Sequence, residues 1–333
     1  ACEFFVEPIS RLAGASDLLI ADCVAYGRIM LAGSVAFMLQ VFFQSFFIVA
    51  EKPHLGLILS VAAGLTNMVF DYVLIAVCGF GVAGAALATV FGYCIGGILP
   101  LLYFLNPRRR GLTKTRLYIH ELAQASANGS SELMSNLSSS VISILYNIQL
   151  MNLIGEAGVA AYSVMMYVDF VFVATFLGFS MGCGPIVSYH FGAANHVELK
   201  NVFHKSMAVI GVASLAMVLV SEGLSRPLSA AFVGYNPELL EITVHGFRLF
   251  AASYLFCGIN IFASAFFTAL CNGLLSALIS FLRSFALRGG MVLLMPVLFG
   301  LDGIWAAVIA AEGAGAIISL TLLFAKRKQY QYM

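Results

Sequence analysis

The sequence predicts an all-α integral membrane protein with two lobes and an internal repeat. Of its 333 residues, 61% are hydrophobic and only 10% are charged, against about 25% charged in a typical soluble domain. Its uncharged stretches reach the roughly 20 residues that a helix needs to cross the hydrocarbon layer. They are continuously apolar, which favours helices over an alternating transmembrane barrel.

Nine full spans are predicted, after a stub of another span at residues 1–8. Two uncharged stretches are too long for one span and divide into pairs. The first divides at Gly79, Gly81 and Gly84, and the second at Asn272 and Gly273, because glycine permits a tight turn. The spans are 24–50, 55–78, 81–105, 130–153, 158–184, 202–222, 241–271, 274–298 and 302–325.

Lys and Arg in short loops predict the orientation in the membrane. With alternating spans, the basic residues of 108–116, 200–205 and 326–328 fall on one side, which we expect to be the cytoplasm. The C-terminus would then be cytoplasmic in a multi-pass protein of the cell (inner) membrane. A net charge of +1 gives no attraction to nucleic acid. The seven cysteines are scattered singly, which is typical of small apolar residues.

The chain also matches itself at an offset of 220 residues, where Arg28 meets Arg248 and residues 46–47 meet 266–267. At an offset of 219, residues 81–84 meet 300–303. Two copies of one helical unit are implied. The second copy has six spans and the first only its last three, so we expect about 107 further upstream residues with three more spans. The predicted domains are an incomplete N-terminal lobe (1–106), a basic cytoplasmic linker (107–129), a C-terminal six-helix lobe (130–326) and a cytoplasmic tail (327–333).

Several motifs along the whole chain resemble the multidrug and toxic compound extrusion (MATE) transporters, in particular their bacterial DinF-like and MepA-like branch. The fifth and sixth helices of the family are matched by three segments, and its seventh helix, the end of its eighth and its last two helices by the others. The matching segments are 53–60, 67–71, 81–89, 128–147, 155–162, 178–193, 280–283 and 299–305.

The resemblance implies twelve spans in two bundles, with substrate and cation sites in the cleft or the lobe interiors. It implies a cation-coupled antiporter that exports amphipathic or cationic drugs and toxins by alternating access. Sodium or a proton would be the coupling ion, with no other cofactor. Small-molecule substrates and membrane lipid would be the partners of a monomer.

Three other interpretations stay open. A flippase for lipid-linked precursors or polysaccharide would favour several basic residues lining the central cleft. A membrane-embedded enzyme would show clustered His, Asp or Glu at metal or nucleophile spacing, and the sequence shows no such cluster, so we expect no enzyme activity. The chain without three helices could also be inactive.

Asp71 is the principal candidate for coupling, because a carboxylate in hydrocarbon costs several kcal/mol unless it is paired, protonated or bound to a cation. Asn67 lies one helical turn earlier on the same face and offers a carbonyl oxygen, a ligand type that hard cations prefer. The resemblance adds Thr89 on the following helix, and it places the family's remaining acid of that site on a first helix that this chain lacks. The alternative is that Asp71 only caps or bonds a neighbouring helix.

Asp169 lies near the middle of its predicted span, and we expect either a place in a substrate cavity or a bond to a neighbouring Ser or Tyr. Met166, Phe170 and Asn147 are further candidates for that cavity, since soft and aromatic groups adapt to varied ligands. Lipid-facing packing is the alternative for the apolar residues.

Arg283 and Glu312 are isolated charges on adjacent predicted spans. We expect them to form a structural ion pair inside the C-terminal lobe, since each charge needs a partner in the membrane.

Overall fold

The computed structural model describes residues 6–12, 20–105 and 118–333, and the chain divides into two compact units, residues 1–117 and 118–333. Every regular element in the described ranges is a helix. Among those residues, seven helices are long and apolar enough to cross a membrane, or eight if the bent pair Pro237–Ala251 and Tyr254–Ala269 is one span. The all-α membrane fold is therefore confirmed, whereas the count of nine spans stays a prediction.

The described part of the N-terminal unit consists of three long helices and a short one. The second of the long helices continues without a break into a π-helical segment, π1, in which the helix is wider than an α-helix. The elements are α1 (Val6–Leu12), α2 (Ile20–Val49), α3 (Pro53–Asp71), π1 (Tyr72–Val77) and α4 (Gly81–Leu105).

Helices α2 and α4 lie unusually close together because glycine removes the side chains between them. A Cβ atom on Gly97 would lie 2.5 Å from the carbonyl oxygen of Ala36 on α2, and one on Gly33 would collide with the side chain of Val90. Small residues that let backbones approach are typical of packing between helices in lipid. The glycines of α4 therefore fix its distance from α2.

The C-terminal unit contains eight α-helices within the residues that the structure describes, and a second π-helical segment, π2. Its last helix is interrupted at Gly300, where φ is 59° and ψ is −132°. The elements are α5 (Ile119–Asn128), α6 (Ser130–Ile154), α7 (Glu156–Gly192), α8 (His196–Val233), α9 (Pro237–Ala251), α10 (Tyr254–Ala269), α11 (Gly273–Phe281), π2 (Leu282–Leu287) and α12 (Arg288–Tyr330).

The backbone repeats at the offset that the sequence predicts. Glu51 and Cys271, 220 residues apart, both have φ of 58°, and Gly81 and Gly300, 219 apart, have φ of 53° and 59°. At each non-glycine turn, the amide of the next residue donates to the carbonyl five residues before it, at 2.8 Å in the first turn and 2.9 Å in the second. Non-glycine residues rarely adopt positive φ, so this coincidence supports two copies of one unit.

Two segments differ from the predicted domain boundaries. The predicted linker 107–129 contains helix α5, whose polar, amphipathic sequence a search for apolar spans overlooks; the basic residues 108–116 lie outside the described residues. The predicted tail 327–333 begins inside α12, which continues to Tyr330. Beyond it, Tyr332 is fully buried and donates to the carbonyl of Leu323 at 2.7 Å, and burial raises the pKa of its hydroxyl.

The close approach of α2 and α4 gives a test of the N-terminal unit. We expect Gly97→Ala to cost about 1–3 kcal/mol of stability, because the new methyl group must push two backbones apart. A matched control is Gly64→Ala on α3, where a Cβ would meet no atom within 4 Å. Thermal unfolding in detergent should show a lower midpoint for the first variant alone. Equal midpoints would contradict the proposed contact.

Candidate functional site

Ionisable groups inside apolar helices mark the candidate sites, since charge in the membrane interior is costly. Two sets of residues around such ionisable groups stand out in the part of the chain that the structure describes. One, the Glu312 cluster, consists of Glu312, Arg283, Arg288 and Asn260 in the C-terminal unit. The other, the Asp71 set, consists of Asp71, Asn67 and Thr89 in the N-terminal unit. Within the described ranges, no group of three or more His, Cys, Asp or Glu side chains could hold a metal ion.

Glu312 on α12 is the most deeply buried carboxylate of the C-terminal unit, with its side chain 1% exposed. Arg283 donates from Nε to both of its oxygens, at 3.0 and 2.9 Å. Arg288 donates from Nη2 to Oε1 at 2.8 Å, and Asn260 from Nδ2 to Oε2 at 2.8 Å. Charge-assisted hydrogen bonds of this length are the strong kind, so both carboxylate oxygens are fully satisfied.

The two arginines reach one carboxylate because of the local backbone. Arg283 lies in π2 and Arg288 follows it at the start of α12, five residues later. In an α-helix residues three or four apart share a face, and five apart do not. A π-helix bonds residue i to i+5, so five residues complete about one turn. The π segment therefore brings both guanidinium groups to the same side.

Further polar groups extend this cluster. Asn260 also donates to the backbone carbonyl of Glu312 at 2.9 Å and accepts a hydrogen bond from Ser319 at 2.8 Å. The Nη2 of Arg283 contacts the sulfur of Cys257 at 3.3 Å. Helices α10 and α12 are thus fastened to each other and to π2 through polar atoms in an apolar bundle.

Asp169 on α7 lies beside the cluster. Its carboxyl group interacts electrostatically with Arg288 and lies next to the hydroxyl of Tyr254, though that hydroxyl does not reach hydrogen-bond geometry. The Nε of Arg288 is likewise buried without a hydrogen-bond partner among the described residues. Counting formal charges, two arginines face two carboxylates, so the cluster with Asp169 is neutral when both acids are ionised.

In the N-terminal unit, the structure brings Asn67 and Thr89 together but leaves Asp71 apart. The amide of Asn67 on α3 points to the Thr89 hydroxyl on α4 at 3.5 Å, and that hydroxyl donates to the Ala85 carbonyl at 3.0 Å. Asp71 is half-buried and forms no hydrogen bond or ion pair with any other described residue. It is the last residue of α3, and π1 begins immediately after it.

The remaining predicted cavity residues lie in different environments. Met166 is half-buried and packs against the core around Tyr254 and Trp305. Phe170 is 76% exposed and Asn147 is also exposed. The structure therefore does not gather these residues and Asp169 into one enclosed site.

Sequence reasoning found Arg283 and Glu312 but missed the other members of the cluster. Arg288 also lies inside the predicted span 274–298, but its spacing of five from Arg283 gives no signal under an α-helical pattern. Asn260, with no exposed surface, is the one amide side chain in the largely apolar helix α10, and this is the signal that the sequence offers.

A protein-family model, MatE, matches residues 1–73 and 133–289, well over half of the chain. The chain belongs to the MATE family. Since this is a family of transporters, the protein is a multi-pass membrane transporter of small molecules and not an enzyme.

Relatives and solved MATE structures agree with this assignment. The multidrug export protein MepA of Staphylococcus aureus (strain N315) is 21% identical over 330 residues, covering 97% of this chain and 71% of MepA. An outward-facing multidrug resistance MATE transporter superposes with a TM-score of 0.92 at 17% identity, over 100% of this chain and 75% of that one. A transporter of the same superfamily from Pyrococcus furiosus gives 0.89 at 18%, with the same coverage. The MATE fold is thus confirmed.

The flippase alternative is not favoured. A flippase would favour several basic side chains lining the central cleft, but Arg283 and Arg288, which lie in the interior of the C-terminal unit, both donate to Glu312.

The Glu312 cluster makes a testable contribution to the stability of this MATE protein. We expect Glu312→Gln to cost about 3–5 kcal/mol, because it leaves buried arginines without their counter-charge. The double variant Glu312→Gln/Arg288→Gln should regain part of this, since one positive charge then faces Asp169 alone. Unfolding in detergent measures both.

The control for this experiment is Asp302→Asn, which breaks an exposed pair with His245 at 2.8 Å. Such surface pairs contribute about 0–1 kcal/mol. If Glu312→Gln were no more harmful than this control, or if the double variant were less stable than the single one, the cluster would not be the electrostatic unit described.

Proposed function

We propose that this protein is a cation-coupled antiporter that exports amphipathic or cationic compounds by alternating access. Membership of the MATE family and the likeness to multidrug export proteins support export of small molecules. The single observation that carries the coupling mechanism is Asp71, a half-buried acid within an apolar helix that has no partner among the described residues.

An unpaired carboxylate in that position has to bind something. Ionised and alone, it would cost several kcal/mol in hydrocarbon, so it takes up either a proton or a sodium ion. Asn67 and Thr89 add an amide and a hydroxyl oxygen within the same unit, and oxygen ligands suit a hard cation. A protein that binds the ion better in one conformation than in the other couples ion flux to the conformational change.

The backbone at Asp71 supports a moving part at this position. π-helical segments are rare and are frequent at functional sites, and π1 starts at the residue after Asp71. An exchange of its i+5 hydrogen bonds for i+4 bonds would convert this segment to α-helical winding. Ion binding at Asp71 would then favour one winding of the segment over the other.

The neutral Glu312 cluster has a structural role in this proposal, and Asp169 remains a proposed residue of the substrate cavity. Met166, Phe170 and Asn147 remain proposed substrate contacts. We also propose the orientation with a cytoplasmic C-terminus, from the basic residues at 200–205 and 326–328.

The first functional test replaces the proposed coupling acid. In everted vesicles from cells that express the complete gene, ethidium transport driven by a sodium or a proton gradient should fall with Asp71→Asn to the level of vesicles without the protein. The reason is that the neutral amide cannot bind and release a proton or a sodium ion as a carboxylate does. The variant should still appear in the membrane in normal amount.

The matched control is Asp22→Asn, which changes an exposed acid in the first turn of α2 and should transport like the parent. Parent-like transport by Asp71→Asn under both gradients would remove Asp71 from the mechanism.

A second test concerns Thr89. Thr89→Val keeps the shape and removes the hydroxyl oxygen, so we expect a higher concentration of the coupling cation at half-maximal transport, with Thr89→Ser restoring the parent value. The measurement is the dependence of initial transport rate on sodium or on pH. A change in maximal rate alone, with unchanged half-saturation, would exclude Thr89 from ion binding.

A further inference from the structure

The end of α12 carries two adjoining surface recesses in the C-terminal unit. The first, the apolar groove, has a volume of about 610 Å³ and is lined by Ile317, Leu320, Thr321, Phe324, Ala325 and Arg327. The second, the basic recess, has a volume of about 650 Å³ and is lined by His204, Phe324, Arg327, Lys328, Gln331 and Met333. Phe324 and Arg327 belong to both, so the two recesses form one continuous surface.

The groove is apolar and open. Ile317 is 70% exposed and Phe324 is 53% exposed, although both lie on a helix that is apolar enough to span a membrane. The natural occupant of such a surface is a hydrocarbon chain. A soluble anion would leave this part empty.

The recess carries positive charge without a matching acid. Arg327 and Lys328 contribute two positive charges, and no Asp or Glu side chain among the described residues lines either recess. The guanidinium of Arg327 lies over the Phe324 ring at 5.8 Å from its centroid, which places the charge at the border between apolar and polar surface. An anionic group is therefore expected above a hydrocarbon chain.

We propose that this surface is a binding site for an anionic phospholipid. Its phosphate would contact Arg327 and Lys328, and one acyl chain would follow α12 along Ile317 and Phe324. An acyl chain on this surface gains little free energy over one in bulk lipid, so the selectivity for one lipid over another comes from the headgroup. Each cation near an anionic headgroup contributes about 1 kcal/mol, which for two cations predicts binding roughly 30-fold tighter than that of a zwitterionic lipid.

The test is a lipid titration of the purified full chain in detergent, followed by native mass spectrometry. Dioleoyl phosphatidylglycerol should bind roughly 30-fold more tightly than dioleoyl phosphatidylcholine. Arg327→Gln/Lys328→Gln should abolish the difference. The matched control Lys326→Gln/Lys205→Gln removes two charges that do not line the recess, one of which is bonded to Gln329, and should keep it.

Two further arms separate a lipid from its headgroup. Glycerol 3-phosphate, at the same concentration as the lipid, should not displace phosphatidylglycerol, and Ile317→Trp should weaken lipid binding by filling the groove. Three results would overturn the proposal: equal binding of the two lipids, equal loss in both double variants, or displacement by glycerol 3-phosphate. Transport assays are not needed, so failure here would leave the role of Asp71 unaffected.

Discussion

Charge inside a hydrocarbon layer has to be neutralised by groups within a few ångströms, and this constraint organises the C-terminal unit. Glu312 meets it through three donors from α10, π2 and α12. Each donor depends on a local feature: a polar residue in an apolar helix, a π-helical turn, and a helix that begins where that turn ends. Replacing buried ion pairs by apolar residues often leaves stability unchanged or improves it. The cluster is better understood as a device that specifies which helix faces meet.

The N-terminal unit solves the same problem differently. Asp71 forms no hydrogen bond or ion pair with another described residue, whereas Asn67 and Thr89 bond to each other. A permanently satisfied acid such as Glu312 cannot respond to an ion gradient. An unsatisfied one can, because the free energy of its ionised form depends on what the solution supplies. The proposed function therefore assigns a structural role to Glu312 and the coupling role to Asp71, two acids of similar intrinsic chemistry.

Much of this could be read from the sequence, for reasons that are local. Apolar runs predict helices in lipid, glycines at 79 and 81 predict the first break, and lone charges such as Arg283 and Glu312 predict pairs. The family motifs identified the fold. The sequence did not predict the features that depend on a departure from α-helical geometry. The convergence of Arg283 and Arg288 needs a π turn, the bend of 49° between α9 and α10 has neither Pro nor Gly to announce it, and amphipathic α5 lacks the hydropathy of a span.

Helix α12 joins two of these features in one rigid body. Glu312 projects from it into the bundle, and Arg327 lies fifteen residues further along, about 22 Å away along the axis at 1.5 Å per residue. Between Glu312 and Arg327 the helix contains Gly313 and Gly315 but no proline, and no glycine follows Gly315. The helix therefore acts as a lever: tilting its outer end by a small angle exerts a torque on the inner one, and the mechanical load falls on the hydrogen bonds that hold the carboxylate.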